Sequence, residues 1–165
     1  MKHLWAPWRL AYIAGPRADG CIFCEAGRGT DDRAARVVHR SPSGYLILNR
    51  FPYNSGHLMA VPYRHVTRLD ALEPGEVEGL MRLADFAVRV LERAASPQGF
   101  NIGINVGIAA GAGFEHLHVH VVPRWIGDTN YMPVLGDVKV LPDHLDQTYE
   151  RLATAVTEVP DPPRG

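Results

Sequence analysis

Cysteine is nearly absent from this sequence: Cys21 and Cys24, three positions apart, are the only two among 165 residues. Two cysteines so close together cannot form the disulfide framework on which small secreted proteins rely. A chain of this length can bury a sufficient hydrophobic core as one domain without such crosslinks. We therefore expect the two thiols to be reduced or bound to a metal.

Long apolar runs are also missing. A membrane-spanning helix needs roughly 18 or more apolar residues in succession, and no stretch approaches that length. Trp5, Pro7 and Trp8 interrupt the region where a signal peptide would need an unbroken apolar core. We expect a cytoplasmic protein that does not insert into membranes.

Neither sign of charge is in excess. The 17 Lys and Arg residues nearly balance the 18 Asp and Glu residues, and the formal net charge is -1. Domains that bind nucleic acids or anionic membranes usually carry a clear excess of basic residues. The composition argues against both partners and predicts that local donors hold any anionic ligand.

The pattern of apolar residues predicts an α+β fold. Strands are expected at residues 37–39, 45–49, 57–62, 100–106 and within 115–125, a long helix at Pro74–Ala95, and a short closing helix at 142–156. Consecutive strands interrupted by one long helix are typical of an antiparallel sheet, here of about five strands, with helices on one face. We expect a single domain over residues 1–158 and a flexible tail at 159–165.

The most informative stretch is EHLHVHVVPRW, residues 115–125, where His116, His118 and His120 alternate with apolar residues. Alternation with period two indicates a strand and places the three imidazoles on one face. The spacing is too long for one ion to bind all three, so the histidines should have different roles. A solvated polar face is the alternative, although Thr, Lys or Glu would serve equally well there.

Histidines in this arrangement suit phosphoryl chemistry. A neutral imidazole such as His118 can attack phosphorus, and a second one on the same face, His120, can stabilise the charge that accumulates on the phosphate oxygens. Gly107, Gly111 and Gly113 precede the row, and glycine lets backbone amides approach an anion closely. A loop rich in glycine is also common in ordinary tight turns.

The motif HLHVHVVPR, preceded by Asn105 and Gly111, resembles the histidine triad (HIT) family of nucleotide hydrolases and transferases, from about Cys21 to Trp125. The resemblance implies a HIT-like sheet and a covalent nucleotidyl intermediate on His118. It also implies that His120 contacts the phosphate. Nucleotide-binding positions would be Asn49, Asn105, Gly111, Ala112, Gly113 and His120.

The pair Cys21 and Cys24 alone is ambiguous between a metal site, a redox pair and two buried hydrophobic residues. In the resemblance, a histidine in a Pro-x-x-His turn, here His65, joins the first histidine of the triad, His116. These four residues would form a closed, structural zinc site that ties the N-terminal segment, about 1–35, to the catalytic strand. The other histidines, His57 among them, are expected to have no functional role.

One departure from the family pattern concerns Ala112 and Gly113, where the family commonly carries Gln and then Ser or Thr. The runs LWAPWRLAYI and PYNSGHLMAVPYRH, and the C-terminal extension at about 126–158, resemble the bacterial branch similar to diadenosine tetraphosphate phosphorylases. Cleavage of dinucleoside polyphosphates is therefore expected, with water or phosphate as acceptor. A zinc-stabilised nucleotide-binding module without catalysis is the alternative, and the resemblance implies a homodimer.

Overall fold

The computed structural model describes residues 20–113, 115–128 and 144–161. Five antiparallel strands form one sheet in the order β1-β2-β3-β5-β4. The strands are β1 (Val37–Ser41), β2 (Gly44–Leu48), β3 (Leu58–Pro62), β4 (Gly99–Gly103) and β5 (Val119–Arg124). The helices are α1 (Ile22–Arg28), α2 (Asp32–Ala35), α3 (Pro74–Ala95) and α4 (Leu145–Glu158), with 3₁₀ turns at Leu69–Ala71 and Ile108–Ala110. The predicted α+β fold is confirmed.

The long helix α3 has the bounds that the sequence predicts. Pro74 occupies its first turn, where a missing N–H costs nothing, and Glu73 and Glu76 form a reciprocal capping box. Its apolar stripe faces the sheet through buried side chains at Leu80, Leu83, Ala84, Phe86, Ala87, Val90 and Leu91. Ser96, in the left-handed conformation at φ 46°, ends the helix.

Both faces of the sheet are covered. Leu46, Leu48, Leu58 and Ala60 pack against α3 and α4 in the larger hydrophobic cluster. The alternate residues of the same strands pack with α1 in a smaller cluster that consists of Phe23, Ala26, Val37, Tyr45, Ile47, Met59 and Val61. This is why β2 and β3 are buried at every position.

The histidine stretch differs from its prediction in one respect. Pairing in β5 begins at Val119, opposite Ala60, so His116 and His118 precede the strand. Val119 and Val121 belong to the larger cluster, and the alternate residue His120 therefore faces the side of the smaller one. That side of the sheet carries the candidate site.

Parts of the predicted organisation lie outside the described residues, namely 1–19 of the N-terminal segment, 129–143 of the C-terminal extension and 162–165 of the tail. Where the tail is described, the carbonyl of Pro160 accepts a hydrogen bond from Arg89 at 3.0 Å. Among the described residues, no helix combines the length and the apolar character needed to cross a membrane.

Candidate active site and metal cluster

His118 and His120 form an adjacent pair of imidazoles. Their ring centroids are 4.6 Å apart at an interplanar angle of 73°, and the residues are 6% and 9% exposed. Strand pairing places His120 between Met59 of β3 and Gly103 of β4. The interior position of β5 in the sheet thus holds His120 from both sides, with His118 just before the strand.

The hydrogen bonds of His118 define its tautomer. Its Nδ1 lies 2.7 Å from the carbonyl oxygen of His116, which can only accept a hydrogen bond, so Nδ1 carries the proton and donates. In the neutral ring, Nε2 then has a lone pair. Burial lowers the pKa of His118 below the ordinary 6.5, which favours this neutral form. The ring is therefore a competent nucleophile.

His57 belongs to the same group of side chains, so the prediction that it has no functional role is not supported by its position. It is fully buried, and its Nε2 lies 2.9 Å from Nδ1 of His120. The backbone N–H of Tyr53 donates to Nδ1 of His57 at 3.1 Å. In the neutral ring the proton must therefore reside on Nε2, from which it is donated to His120.

The hydrogen bond from His57 determines which ring nitrogen of His120 carries the proton. Because Nδ1 of His120 accepts from His57, its own proton lies on Nε2, which becomes a donor within the site. Burial, with a smaller contribution from His118, lowers the pKa of His120 to about 4. The side-chain amide of Asn105 lies 3.4 Å from that Nε2, measured to Nδ2. Both nitrogens carry hydrogen in this tautomer, so this approach is a contact and leaves the N–H of His120 available to another acceptor. One ring of the pair thus offers a lone pair and the other an N–H.

Asn49 lies next to this chain of contacts. Its Nδ2 is 3.2 Å from Nδ1 of His57, and its Oδ1 accepts from the backbone N–H of Phe51 at 2.9 Å. Both contacts stabilise the turn that carries His57.

The glycine loop follows Asn105 on the β4 side of the pair. Gly107 and Gly111 adopt φ 83° and 89°, a region that favours glycine, and they bracket the 3₁₀ turn. Ala112 donates its backbone N–H to the carbonyl of Gly107 at 3.3 Å, and Gly113 is exposed. The loop is thus closed by its own hydrogen bonds.

A cavity of about 210 Å³ opens beside this loop. Its walls include Asn105, Gly107 and Ala112, and also Thr67 and Arg68, which belong to no motif in the sequence. Arg68 is exposed and paired with Asp70 at 3.0 Å. Glu115, His116 and Leu117 complete the lining, so the cavity has a carboxylate beside the hydroxyl, amide and guanidinium donors and lies next to the histidine pair without including it.

Cys21, Cys24, His65 and His116 come together as one cluster that could hold a metal ion, because their ligand atoms all lie within 4.8 Å of one another. The Sγ of Cys21 is 3.3 Å from Nδ1 of His116, and that of Cys24 is 3.3 Å from Nδ1 of His65. Ligands around a tetrahedral zinc with ordinary bond lengths are about 3.3 to 3.8 Å apart. The shortest donor separations match this range, and a small contraction of the widest, which reach up to 4.8 Å, would complete the coordination of such an ion.

The second nitrogen of His116 supports this arrangement. Its Nε2 donates to the carbonyl of Pro62 at 3.0 Å, which leaves Nδ1 unprotonated and directed at the two sulfur atoms. The cysteines contribute from the start of α1, and His65 from the segment after β3. Together they connect three separated parts of the chain.

Comparison with known proteins identifies the class of protein that this fold and site define. The model of the HIT domain family matches residues 31–125, and the chain belongs to this family. Over 164 residues it is 42% identical to a Mycobacterium tuberculosis protein named AP-4-A phosphorylase, covering 93% of this chain and 84% of that protein.

Two further relatives are informative. A Schizosaccharomyces pombe protein named bis(5'-nucleosyl)-tetraphosphatase [asymmetrical] is 34% identical over 90 residues, covering 54% of this chain and half of that protein. The crystal structure of a zinc-bound histidine triad family protein from Mycobacterium smegmatis has a TM-score of 0.67 at 25% identity, covering 84% of this chain and 94% of that one.

Proposed function

We propose that this protein is a nucleotidyl-transferring HIT enzyme that cleaves dinucleoside polyphosphates of the diadenosine tetraphosphate type. The observation that carries the proposal is the pairing of His118, with a lone pair on Nε2, and His120, with a proton on Nε2, at 4.6 Å between ring centroids. The names of the M. tuberculosis and S. pombe relatives support the substrate class.

The reaction would proceed in two displacements. His118 Nε2 attacks the phosphorus next to one nucleoside, an N–P bond forms, and the P–O bond to the remaining polyphosphate breaks. His120 donates a hydrogen bond to a phosphate oxygen, with Asn105 and the loop carrying Gly111, Ala112 and Gly113 around the anion. An acceptor oxygen then attacks the same phosphorus, the N–P bond breaks, and His118 is regenerated.

The acceptor of the nucleotidyl group distinguishes hydrolysis, in which it is water, from phosphorolysis, in which it is inorganic phosphate. At the two positions before the histidine row the family commonly carries side chains that can hydrogen-bond, whereas this chain has Ala112 and Gly113. The space that these small residues leave favours inorganic phosphate over water. We infer phosphorolysis, in agreement with the name of the M. tuberculosis relative.

Zinc is the metal that we propose for the cluster of Cys21, Cys24, His65 and His116. Two thiolates and two imidazoles form a donor set that zinc prefers, and four protein ligands would leave no open position for substrate. When bound, such an ion supplies a structural crosslink and no catalytic chemistry. Both cysteines are free thiols, which is consistent with the cytoplasmic location that we also infer.

A homodimer is part of the proposal. Among the described residues β4 pairs only with β5, and its outer edge carries Ile102, which is 49% exposed. An edge strand with unpaired backbone groups can pair with a second copy of itself.

Product analysis tests the function. Purified protein is incubated with diadenosine tetraphosphate, with and without inorganic phosphate, and the nucleotides are separated. ADP and ATP formed only with phosphate would support phosphorolysis, and AMP and ATP would support hydrolysis. His118→Ala should abolish turnover and retain its metal, whereas the exposed His144→Ala serves as a control with unchanged turnover.

The missing donors at Ala112 and Gly113 also favour a second candidate, a nucleotide-binding module without catalysis. An acid-labile label on the protein after exposure to radiolabelled substrate distinguishes the two, because a binding module forms no covalent intermediate. No turnover of any adenosine nucleotide, together with no label, would refute the enzyme.

A further inference from the structure

Phe23 lies between the metal cluster and the histidine pair and contacts one member of each. It lies between Cys21 and Cys24, in the first turn of α1, and is 2% exposed. The hydroxyl of Tyr45 donates to its backbone carbonyl at 2.5 Å, which anchors this turn to the sheet. The position of the Phe23 ring is therefore determined by both the cysteine segment and β2.

The ring of Phe23 packs directly on two histidines. Its centroid is 4.8 Å from that of His118, with an interplanar angle of 40°, and 5.6 Å from that of His116, with an angle of 64°. These separations are typical of favourable aromatic contacts. Phe23 thus touches one ligand of the cluster and the ring that we propose as the nucleophile.

A second contact that holds His118 in place also comes from a residue of the metal cluster. Its Nδ1–H donates to the backbone carbonyl of His116, the residue whose side chain offers Nδ1 to the cluster. The imidazole of His118 is thus held by a hydrogen bond on one edge and by the Phe23 ring. Both supports come from residues in or beside the metal cluster.

We infer that Phe23 is a positioning residue for His118, and that it transmits the order of the metal cluster to the nucleophile. The inference rests on the proposed function, because it concerns the ring that attacks phosphorus. It extends that function by giving the cluster a second task, which is to hold His118 in the orientation for attack.

The physical reason is the strict geometry of nucleophilic attack. The reacting atoms must be aligned about 3 to 3.5 Å apart, and a misplacement of about 1 Å can reduce a rate by about 100-fold. Rotation of the His118 ring would also break its bond to the carbonyl of His116 and allow the other tautomer. A packed aromatic wall opposes that rotation, whereas a smaller side chain leaves room for it.

The first test uses Phe23→Leu, with Phe23→Met as a second variant of about the same volume, whose longer, unbranched side chain can keep a contact with the His118 ring. Rapid-quench measurement of the acid-labile label gives the rate of nucleotidyl transfer to His118. We expect Phe23→Leu to slow this step by about 10- to 100-fold, Phe23→Met to slow it less, and KM to change less than the rate. Metal analysis should show the wild-type metal content in both variants.

Ile22→Ala is the matched control, because Ile22 is the neighbour of Phe23 in α1 and packs on the same smaller cluster. Its rate of labelling should equal that of the wild type. A wild-type rate in Phe23→Leu, or an equal loss in Ile22→Ala, would overturn the inference, since the segment would then act only through general stability.

A second readout needs no substrate, so its failure is separable from failure of the proposed function. Two-bond proton–nitrogen NMR correlations at one fixed pH report which nitrogen of His118 carries the proton. We expect Nδ1 alone in the wild type and in Ile22→Ala, and a mixture of both tautomers in Phe23→Leu. An unmixed Nδ1 tautomer in Phe23→Leu would overturn the positioning role.

A double-mutant cycle tests the connection to the cluster. His65→Ala removes the exposed ligand, and it should slow the labelling step by an amount that is not additive with Phe23→Leu, because both changes release the same ring. Additive losses would show that Phe23 supports His118 independently of the cluster and would overturn that part of the inference.

Discussion

At the scale of single residues, the contact of His57 with His120 gives the sharpest prediction. Replacing His57 by Ala leaves Nδ1 of His120 buried without this donor, so its proton can move to Nδ1 and the N–H on Nε2 is lost. We expect kcat to fall about 10- to 100-fold, in keeping with the roughly 1–3 kcal/mol that a buried unpaired polar group costs. Steady-state kinetics with the acceptor in excess measures the effect.

His57→Gln is the informative companion variant. Its amide can accept from the N–H of Tyr53 and donate to Nδ1 of His120, so part of the lost kcat should return. His144→Ala, far along the chain at the start of α4, should leave kcat unchanged. Equal activity of His57→Ala and the wild type would mean that the tautomer of His120 does not depend on this bond.

The sequence predicts that His118 and His120 lie together, but it does not predict the contact of His57 with His120. His118 and His120 share a face through their own period-two spacing, which any strand imposes. The relation of His57 to His120 depends on the register of β3 against β5, in which Leu58 faces Val121 and Met59 faces His120. Contacts between residues 63 positions apart are not encoded in either stretch alone, so the local sequence predicts no functional role for His57.

The lowered pKa of His118 predicts the acid side of the pH profile. Burial places this pKa below the ordinary 6.5, so the ring remains neutral at pH 6.5 and loses its lone pair only as the pH falls through the lower folded value. We expect the rate of covalent labelling to be maintained at pH 6.5 and to decline below it. Measuring that single step avoids the ionisation of the phosphate acceptor, and a decline centred above pH 6.5 would contradict the assignment.

At the scale of elements, Arg40 of β1 binds the C-terminal end of α1, the helix next to which the metal cluster lies. Its guanidinium donates to the carbonyls of Ala26, Gly27 and Gly29 at 2.8 to 2.9 Å and also binds Asp32. The carbonyls at the end of α1 have no partners within the helix, so this side chain caps them. The N-terminal segment is thus fastened to the sheet next to the metal cluster.

We expect Arg40→Ala to lower the free energy of unfolding by about 1–3 kcal/mol, because charge-assisted hydrogen bonds to several carbonyls are lost together. The protein should also release its metal to a chelator faster than the wild type. Urea denaturation and a chelator competition assay measure the two effects. Arg82→Ala, which removes an exposed ion pair with Glu78 on α3, should cost about 0.5 kcal/mol or less; equal losses would show that Arg40 caps nothing.

The elements themselves were predictable to different degrees. The bounds of α3 follow from local signals, namely an apolar stripe and a proline within its 22 residues and a capping box between Glu73, the residue before it, and Glu76. The start of β5 does not, because Val119 is the first residue that pairs with β3. Before it, the N–H of Leu117 bonds to the carbonyl of Val66 and His116 turns to the cysteines. Long-range contacts replace the ladder there, and period-two spacing cannot reveal them.

At the scale of the whole molecule, the sheet order shows what local patterns leave undetermined. β5 lies between β3 and β4, so the last of the described strands in sequence is inserted between earlier ones. This insertion places His120 in the interior of the sheet, with His118 immediately before the strand, and leaves β4 at its edge. Apolar spacing predicted the number of strands and their antiparallel class, but the choice of neighbours depends on packing across the entire domain.

From the exposed edge of β4 we expect two copies of the protein to associate as a dimer. If two copies pair along β4, the protein should sediment at twice the monomer mass of 18.2 kDa. Ile102→Lys places a charge on the pairing edge, a substitution that opposes strand addition, and should shift the equilibrium toward monomer at the same concentration. Met81→Lys is the matched control, because Met81 on α3 is 50% exposed and Ile102 is 49% exposed. Sedimentation velocity distinguishes the outcomes: a wild-type monomer, or an Ile102→Lys variant as dimeric as Met81→Lys, would rule out assembly through this edge.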